Sequence, residues 1–221
     1  MAKRPILRSV YFIATLPYIL LSKLAFQCDW WGFEDNVMKC SQLVEQFGNT
    51  PLSRELLKTL EIAEDHRNKF HYGIDQIGIF RATLRSLKGD IQGASTIEQQ
   101  FVRVSINQYQ RTVTRKLFEQ LIAVYLVTNF EKKQIATAYL SIAYFGNSKQ
   151  GILGLNDMTH LKLESLGYSD AIPIISCLKY PEPIIKTKKW LIKSKNRNTH
   201  IASQICMLNK QFRHNKINGY I

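Results

Sequence analysis

Negative charge is scarce in this 221-residue chain: 17 Asp and Glu stand against 30 Lys and Arg, a formal charge of +13. That balance turns the chain away from cationic ligands and toward anionic ones: nucleic acid, acidic headgroups or a pyrophosphate-bearing substrate. Cysteine is equally sparse. The four residues (Cys28, Cys40, Cys177 and Cys206) form no CxxC and have no metal-ligand partner at a suitable spacing, which removes zinc-ribbon and dithiol redox readings. Cys28 and Cys40 could pair in an oxidising compartment, and buried free thiols fit as well. There is no glycine-rich phosphate loop, no internal repeat and no low-complexity linker. No run of alternating β-branched residues argues for a sheet. Hydrophobic residues make up 45%, enough to exclude global disorder and to fill the core of one domain.

An uninterrupted apolar stretch of bilayer length is also missing. Val10 to Leu21 falls short of the roughly 20 residues that span a bilayer, but the run resumes past Lys23 as Leu24-Ala25-Phe26. Lys3, Arg4 and Arg8 precede it and Asp29 follows, the charge order of a segment whose N-terminus stays inside. No small-x-small cleavage site follows. Residues 1–27 are therefore expected to form an uncleaved membrane anchor, and residues 28–221 one domain beyond it. Trp30, Trp31 and Phe33 come next and fit either a headgroup belt or a core.

The most informative stretch is Gly93 to Glu119. Ser95 stands where a helix N-cap is needed, and Glu98 three residues on completes a capping box. Ile97, Phe101 and Val104 then share one face, leaving Thr96, Gln99, Gln100 and Arg103 on a polar strip suited to a sugar followed by a phosphate. Arg115, Lys116 and Glu119 follow at helical spacing. Upstream, Thr50-Pro51 predicts a helix start, and Leu52, Leu56, Leu57, Leu60 and Ala63 mark an apolar face running into Glu64-Asp65. A carboxylate at the edge of such a face is expected to have its pKa raised toward that of a working general base. His66 and His71 follow, and Gly73 suits a turn with positive φ.

Beyond Leu117 the chain is apolar on almost every side, which predicts a central buried helix with Glu119 at its mouth. A further helix is expected over 131–145, closed by Gly146-Asn147 as a C-cap, then a loop-rich stretch over 151–168 and an apolar helix over 170–178. Lys179-Tyr180-Pro181-Glu182-Pro183 ends that helix. Lys186 to Arg197 is a basic run carrying Trp190.

Taken together, these stretches resemble glycosyltransferase family 51, the peptidoglycan glycosyltransferases of penicillin-binding proteins and their monofunctional relatives. Glu64-Asp65, His71 and Gly73 match EDxxFxxHxG, with Asn68 in place of the aromatic. GASTIEQQ and RKxxE match the second and third motifs. KKQIATAYLSIAYFG is similar to the fourth, with Thr137 and Ser141 replacing a glutamate and an asparagine. Val104 replaces another asparagine, Arg103 stands where the family has lysine, and no fifth motif is recognisable near His160-Leu161-Lys162.

The resemblance implies a mainly α, lysozyme-like domain with an N-terminal membrane-proximal helix. It would polymerise lipid II on the outer, periplasmic side of the bacterial cytoplasmic membrane. By this likeness Glu64 is the general base and Asp65 its support. Glu119 is the second carboxylate, assisting the leaving group or organising its positive neighbours. Arg103, Arg115 and Lys116 meet the pyrophosphate, while Ser95, Thr96, Gln99 and Gln100 line the sugar sites near His71. No cofactor is required outright, and a divalent cation, Mg or Mn, is the one candidate. Expected partners are lipid II, glycan strands, the membrane and other cell-wall synthesis proteins, not nucleic acid. Three other classes compete: a non-catalytic scaffold that binds lipid II or glycan, a lysozyme-like hydrolase, which paired carboxylates alone would permit, and, as the weakest, a nucleic-acid binder, against which the dispersed basic residues and the lack of a binding motif weigh.

Overall fold

In the computed structural model of the chain, residues 3–89 and 93–217 are described; side chains are described from Pro5 to Leu208 within those ranges. Met1, Ala2 and the side chains of Lys3 and Arg4, all part of the expected anchor, lie outside that description. The elements in chain order are α1 (Lys3–Gln27), α2 (Phe33–Phe47), α3 (Arg54–Glu64), α4 (Gln76–Ser86), α5 (Ile97–Ser105), α6 (Val113–Asn129) and α7 (Lys132–Ile142). After them come β1 (Tyr144–Gly146), β2 (Lys149–Gln150), α8 (Gly151–Asp157), a 3₁₀ turn at Leu163–Ser165, α9 (Tyr168–Lys179) and α10 (Lys188–Ile217). The mainly α class expected from the sequence is what forms. The elements divide into two compact units, residues 1–50 with 64–142, and residues 51–63 with 143–221.

In the first unit α5 packs on α6 and α7, and α2 packs across α6 and α7. The core is made by Phe33, Val37, Cys40 and Val44 of α2, Phe101 and Val102 of α5, Ile122 and Leu126 of α6, and Ile135 and Leu140 of α7. Phe33 sets its ring edge-on to Phe118 and Tyr125. Before α4, Gly73 takes φ +84° with its α-carbon pressed against the α6 backbone, where a Cβ would lie 2.8 Å from the Ala123 carbonyl oxygen. The positive-φ turn expected at Gly73 is therefore present, and it also permits a close approach that a side chain would block.

Helix α1 inverts the usual burial pattern. Tyr11, Thr15, Ser22 and Ala25 face inward along one stripe, while Val10, Ile13, Leu16, Leu20 and Leu24 are exposed. Its inward polar groups are paired: the Tyr11 hydroxyl donates to Asp75 (2.6 Å), and Gln76 donates to the Thr15 hydroxyl (2.8 Å). Asp75 also caps α4 through the Gly78 N–H and holds Arg67 in an ion pair. By length and composition α1 is apolar enough to cross a membrane.

The second unit is built on α9 and α10 with the β1–β2 hairpin. The Trp190 indole N–H reaches the carbonyls of Tyr180 and Pro181, and Lys149 pairs with Glu182 at 2.6 Å. Several boundaries differ from the sequence expectation. Helix α3 begins at Arg54, with Ser53 rather than Thr50 accepting the capping bond from the Leu56 N–H. Helix α7 stops at Ile142, because Gly146 and Asn147, both with positive φ, make the hairpin turn instead of a C-cap. Gly146 is crowded there: a Cβ would lie 2.0 Å from the Glu182 nitrogen. The stretch expected to be loop-rich contains α8. All four cysteines are free, with Cys28 exposed and Cys40 buried.

Candidate active site

The first turn of α5 organises the site. Its N-cap is Thr96, not Ser95: the Thr96 hydroxyl accepts from the Gln99 N–H and donates to the Gly73 carbonyl. A β-hydroxyl anchored to a neighbouring turn is a better-fixed cap than one facing solvent, which shifts the start by one residue. Ser95 is thereby released, and its hydroxyl accepts from Lys116 (3.0 Å) and Arg103 (3.3 Å). Glu98 makes no capping box. It is 1% exposed and pairs with Lys132 at 3.1 Å.

Glu119 lies at the centre of a cation bundle. Arg103 grips both its oxygens, Nε at 3.0 Å and a terminal nitrogen at 3.1 Å. Arg115 and Lys116 bind the same carboxylate from their own helix. Burial pushes the Glu119 carboxyl up, but the Arg103 hydrogen bonds and Lys116 outweigh it and hold it below the usual carboxylate range. Burial, together with Arg103 and Arg115, pushes the Lys116 ammonium down despite Glu119. Three cations on one carboxylate leave a net positive group, and Arg103 and Lys116 keep 28% and 30% of their side-chain surface open. Such a group binds an oligo-anion through charge-assisted hydrogen bonds.

Glu64, the last residue of α3, is half-buried and accepts from the Gln100 amide at 3.2 Å. The Gln100 oxygen in turn accepts from the buried Tyr139 hydroxyl at 2.9 Å. Burial and the neighbouring Glu64 charge keep the Tyr139 phenol protonated. Glu64 and Ser95 line one small pocket together with Asp65, Arg67, Gly93 and Ala94. Gln99, next to Gln100, points the other way and accepts from Lys116 while donating to the Gly73 carbonyl. Adjacent residues of one turn thus contact Glu64 and the cation bundle.

Asp65 and His71 belong to a third, internal cluster. The His71 Nε2 donates to Asp65 at 3.0 Å, and its Nδ1 accepts from Lys132 at 3.1 Å, the tautomer these neighbours dictate. Asp65 also accepts from the Asn68 amide and from the Ile97 N–H, tying the turn after α3 to the start of α5. Asp65, His71, Thr96 and Gln99 are all buried. Asp65 also borders the small pocket that Glu64 and Ser95 line, whereas His71, Thr96 and Gln99 are not part of that lining. Of the residues expected to line it, Ser95, Gln100, Arg103, Arg115 and Lys116 keep exposed surface. Asn68, Glu98, Lys132 and Tyr139 complete the arrangement and were not expected in it. The match of Lys132 and Tyr139 to the fourth motif was the signal available for two of them.

Asp65, His71 and Glu98 also place three ligand-type atoms within 4.8 Å of one another. They do not suit a divalent cation. Both imidazole nitrogens are committed, Lys132 already supplies positive charge against Glu98, and Mg or Mn prefers a shell of oxygen ligands. The Glu98 Oε2 has no hydrogen-bond partner among the described residues.

Comparison with known proteins identifies the family. A transglycosylase family model matches residues 40–205. Penicillin-binding protein 1A of Streptococcus oralis is 30% identical over 156 residues, 65% of this chain and 24% of the relative. Penicillin-binding protein 1B of Haemophilus influenzae is 36% identical over 97 residues, covering 43% of this chain and 12% of the relative. Penicillin-binding protein 1A of Vibrio cholerae is 36% identical over 121 residues, covering 50% and 15%. The chain thus spans a quarter or less of the length of these relatives.

Proposed function

This chain belongs to the transglycosylase family, and from that premise we propose that it polymerises lipid II into glycan strands with Glu64 as the general base. The observation that supports this reading most is the pairing of Glu64 through Gln100 with a three-cation bundle fixed through Gln99. Glu64 takes the proton of the acceptor N-acetylglucosamine 4-hydroxyl. The freed oxygen pair attacks the anomeric carbon of the donor N-acetylmuramic acid from the face opposite its leaving group. The bond from that carbon to the pyrophosphate oxygen breaks, its electrons go to undecaprenyl pyrophosphate, and the configuration inverts.

Charge grows on the pyrophosphate as the bond lengthens, so cations already fixed in place stabilise the transition state more than the ground state. Arg103, Arg115 and Lys116 supply them. Glu119 acts as their anchor rather than as an acid: its oxygens are saturated by cationic donors, and its carboxyl is held ionised. Ser95 and Gln100 are the nearest polar groups for sugar hydroxyls. Asp65, His71, Lys132 and Glu98 are positioning residues behind them. The substrate's lipid places the reaction at the outer face of the cytoplasmic membrane, where glycan strands and other cell-wall synthesis proteins are the partners.

A second reading, a lipid II-binding scaffold without turnover, draws on the departures from the motifs. Thr137 is buried, and the Ser141 hydroxyl is spent on the Thr137 carbonyl, so neither offers a group to a ligand. Incubating the full-length protein in detergent with purified lipid II separates the two. Polymer that falls by about 100-fold or more in Glu64→Gln, with lipid II binding kept, is the expected result for removal of a general base. Binding without polymer in either protein would favour the scaffold. Shortened glycan from finished wall would favour a hydrolase.

A further inference from the structure

The one residue of the first motif that departs from its pattern, Asn68, joins two buried anions. Its side-chain nitrogen lies 3.3 Å from an Asp65 oxygen and 3.3 Å from Glu98 Oε1. An amide nitrogen carries two hydrogens, one for each carboxylate. Asp65 and Glu98 are 5% and 1% exposed, so water screens their mutual repulsion poorly and the donors between them keep the arrangement together. His71 serves Asp65 and Lys132 serves Glu98, each from one side, while Asn68 serves both. Lys132 also holds the Asn68 backbone in place through a 2.5 Å bond to its carbonyl.

The chain neighbours of the two carboxylates give this bridge its consequence. Asp65 directly follows Glu64, and Glu98 stands two residues before Gln100, whose amide donates back to Glu64 at 3.2 Å. The links close a circuit. It runs from Glu64 to Asp65 along the chain, from Asp65 to Glu98 through the Asn68 amide, from Glu98 to Gln100 along α5, and from Gln100 to Glu64 through a side-chain bond. The same helix carries Gln99 and Arg103 to the cation bundle. Opening the circuit at Asn68 therefore loosens Glu64 against α5 and leaves every cation of the bundle in place. The Ile97 N–H, 3.3 Å from the same Asp65 oxygen, is the direct tie that then remains between the turn and α5.

We propose that Asn68 and Glu98 are positioning residues for the reaction: one side-chain amide, shared between the Asp65 and Glu98 carboxylates, keeps Glu64 in register with α5 and so with the cation bundle. The proposal rests on Glu64 being the general base. Neither residue touches the substrate. Their effect falls on the orientation of the proton acceptor in the transition state, while the groups that hold the pyrophosphate stay as they are.

The test measures polymerisation of purified lipid II by the full-length protein in detergent, with kcat and KM separated. Each variant is assayed well below its own melting temperature, followed by circular dichroism. Asn68→Leu keeps the volume and removes both donors, and Asn68→Ser keeps one. Asn68→Asp combined with Glu98→Gln reverses the bond, the amide now coming from position 98. For Asn68→Leu the expected result is a fall in kcat of about tenfold at unchanged KM, the mark of an interaction that acts in the transition state. Asn68→Ser should fall less, and the double exchange should regain most of what Asn68→Asp alone loses. Folded Asn68→Leu with a lower Tm but the wild-type kcat would overturn the inference in favour of a purely structural role. A double exchange no faster than Asn68→Asp would overturn it too, and either result leaves Glu64 as the base. Wild type that binds lipid II without polymerising it would instead end the reading of Glu64 as a base, and this proposal with it.

Discussion

Replacing Glu119 by Gln removes the charge that holds three cations together while keeping the side chain's shape. The carboxylate is 1% exposed and receives bonds from Arg103, Arg115 and Lys116. Breaking a buried ion pair by deleting one partner costs about 3–5 kcal/mol, but these cations retain 13–30% of their side-chain surface and can recover part of their hydration. A loss of about 2–3 kcal/mol is therefore expected, which for a chain of this size lowers Tm by roughly 4–12 °C. Thermal melts of both proteins followed by circular dichroism at several pH values provide the assay.

The pH dependence carries the sign. The folded carboxyl titrates below its unfolded value of 4.5, so its contribution is complete above that value and is lost as pH falls through the folded pKa. The gap between wild type and Glu119→Gln should be full at pH 7 and close in acid below pH 4.5. Adding Arg115→Gln to Glu119→Gln should restore stability relative to the sum of the single changes, because one repelling cation is gone. A gap that ignores pH, or strict additivity, would refute the view of Glu119 as the bundle's counter-charge.

Lys132→Met should destabilise by about 3–5 kcal/mol in denaturant titrations, because it strands the buried Glu98 carboxylate; adding Glu98→Gln should recover part of that loss. Thr96→Val should lose about 1–2 kcal/mol as a cap deletion, whereas Ser95→Ala should change stability by less while weakening anion binding measured by calorimetry. Gly73→Ala should cost about 1–3 kcal/mol from φ +84° and the approach to Ala123, read as a shift in denaturation midpoint at unchanged m-value.

Periodic apolar spacing made most of the helices legible. Ile97 and Phe101 are buried as their i, i+4 spacing required, and Leu56, Leu57 and Leu60 face inward on α3. The cation bundle was legible because Arg115, Lys116 and Glu119 are neighbours on one helical face. What stayed hidden depended on contacts between distant stretches. Ser95 and Thr96 are equally good caps in isolation, and only the Gly73 carbonyl, 23 residues away, decides between them. Glu98 reads as a capping residue until Lys132 is brought against it by α7. Gly146 was correctly a place for positive φ but ended a hairpin rather than a helix, because Glu182 packs against it. The pairing of Tyr11 and Thr15 in α1 with the start of α4 was not legible, since composition does not record which face a helix's few polar residues share.

The two consecutive glutamines of α5 act as a ruler. Residues 99 and 100 are set 100° apart around one axis and 1.5 Å along it, and backbone hydrogen bonds hold that offset more tightly than side-chain torsions would. Gln99 reaches the cations and Gln100 reaches Glu64, so the span between the two centres is set by helix geometry. Any molecule that touches both must present the groups it offers them at that one separation. A single-residue insertion between 99 and 100 would throw the two centres out of register while leaving every side chain at the site unchanged.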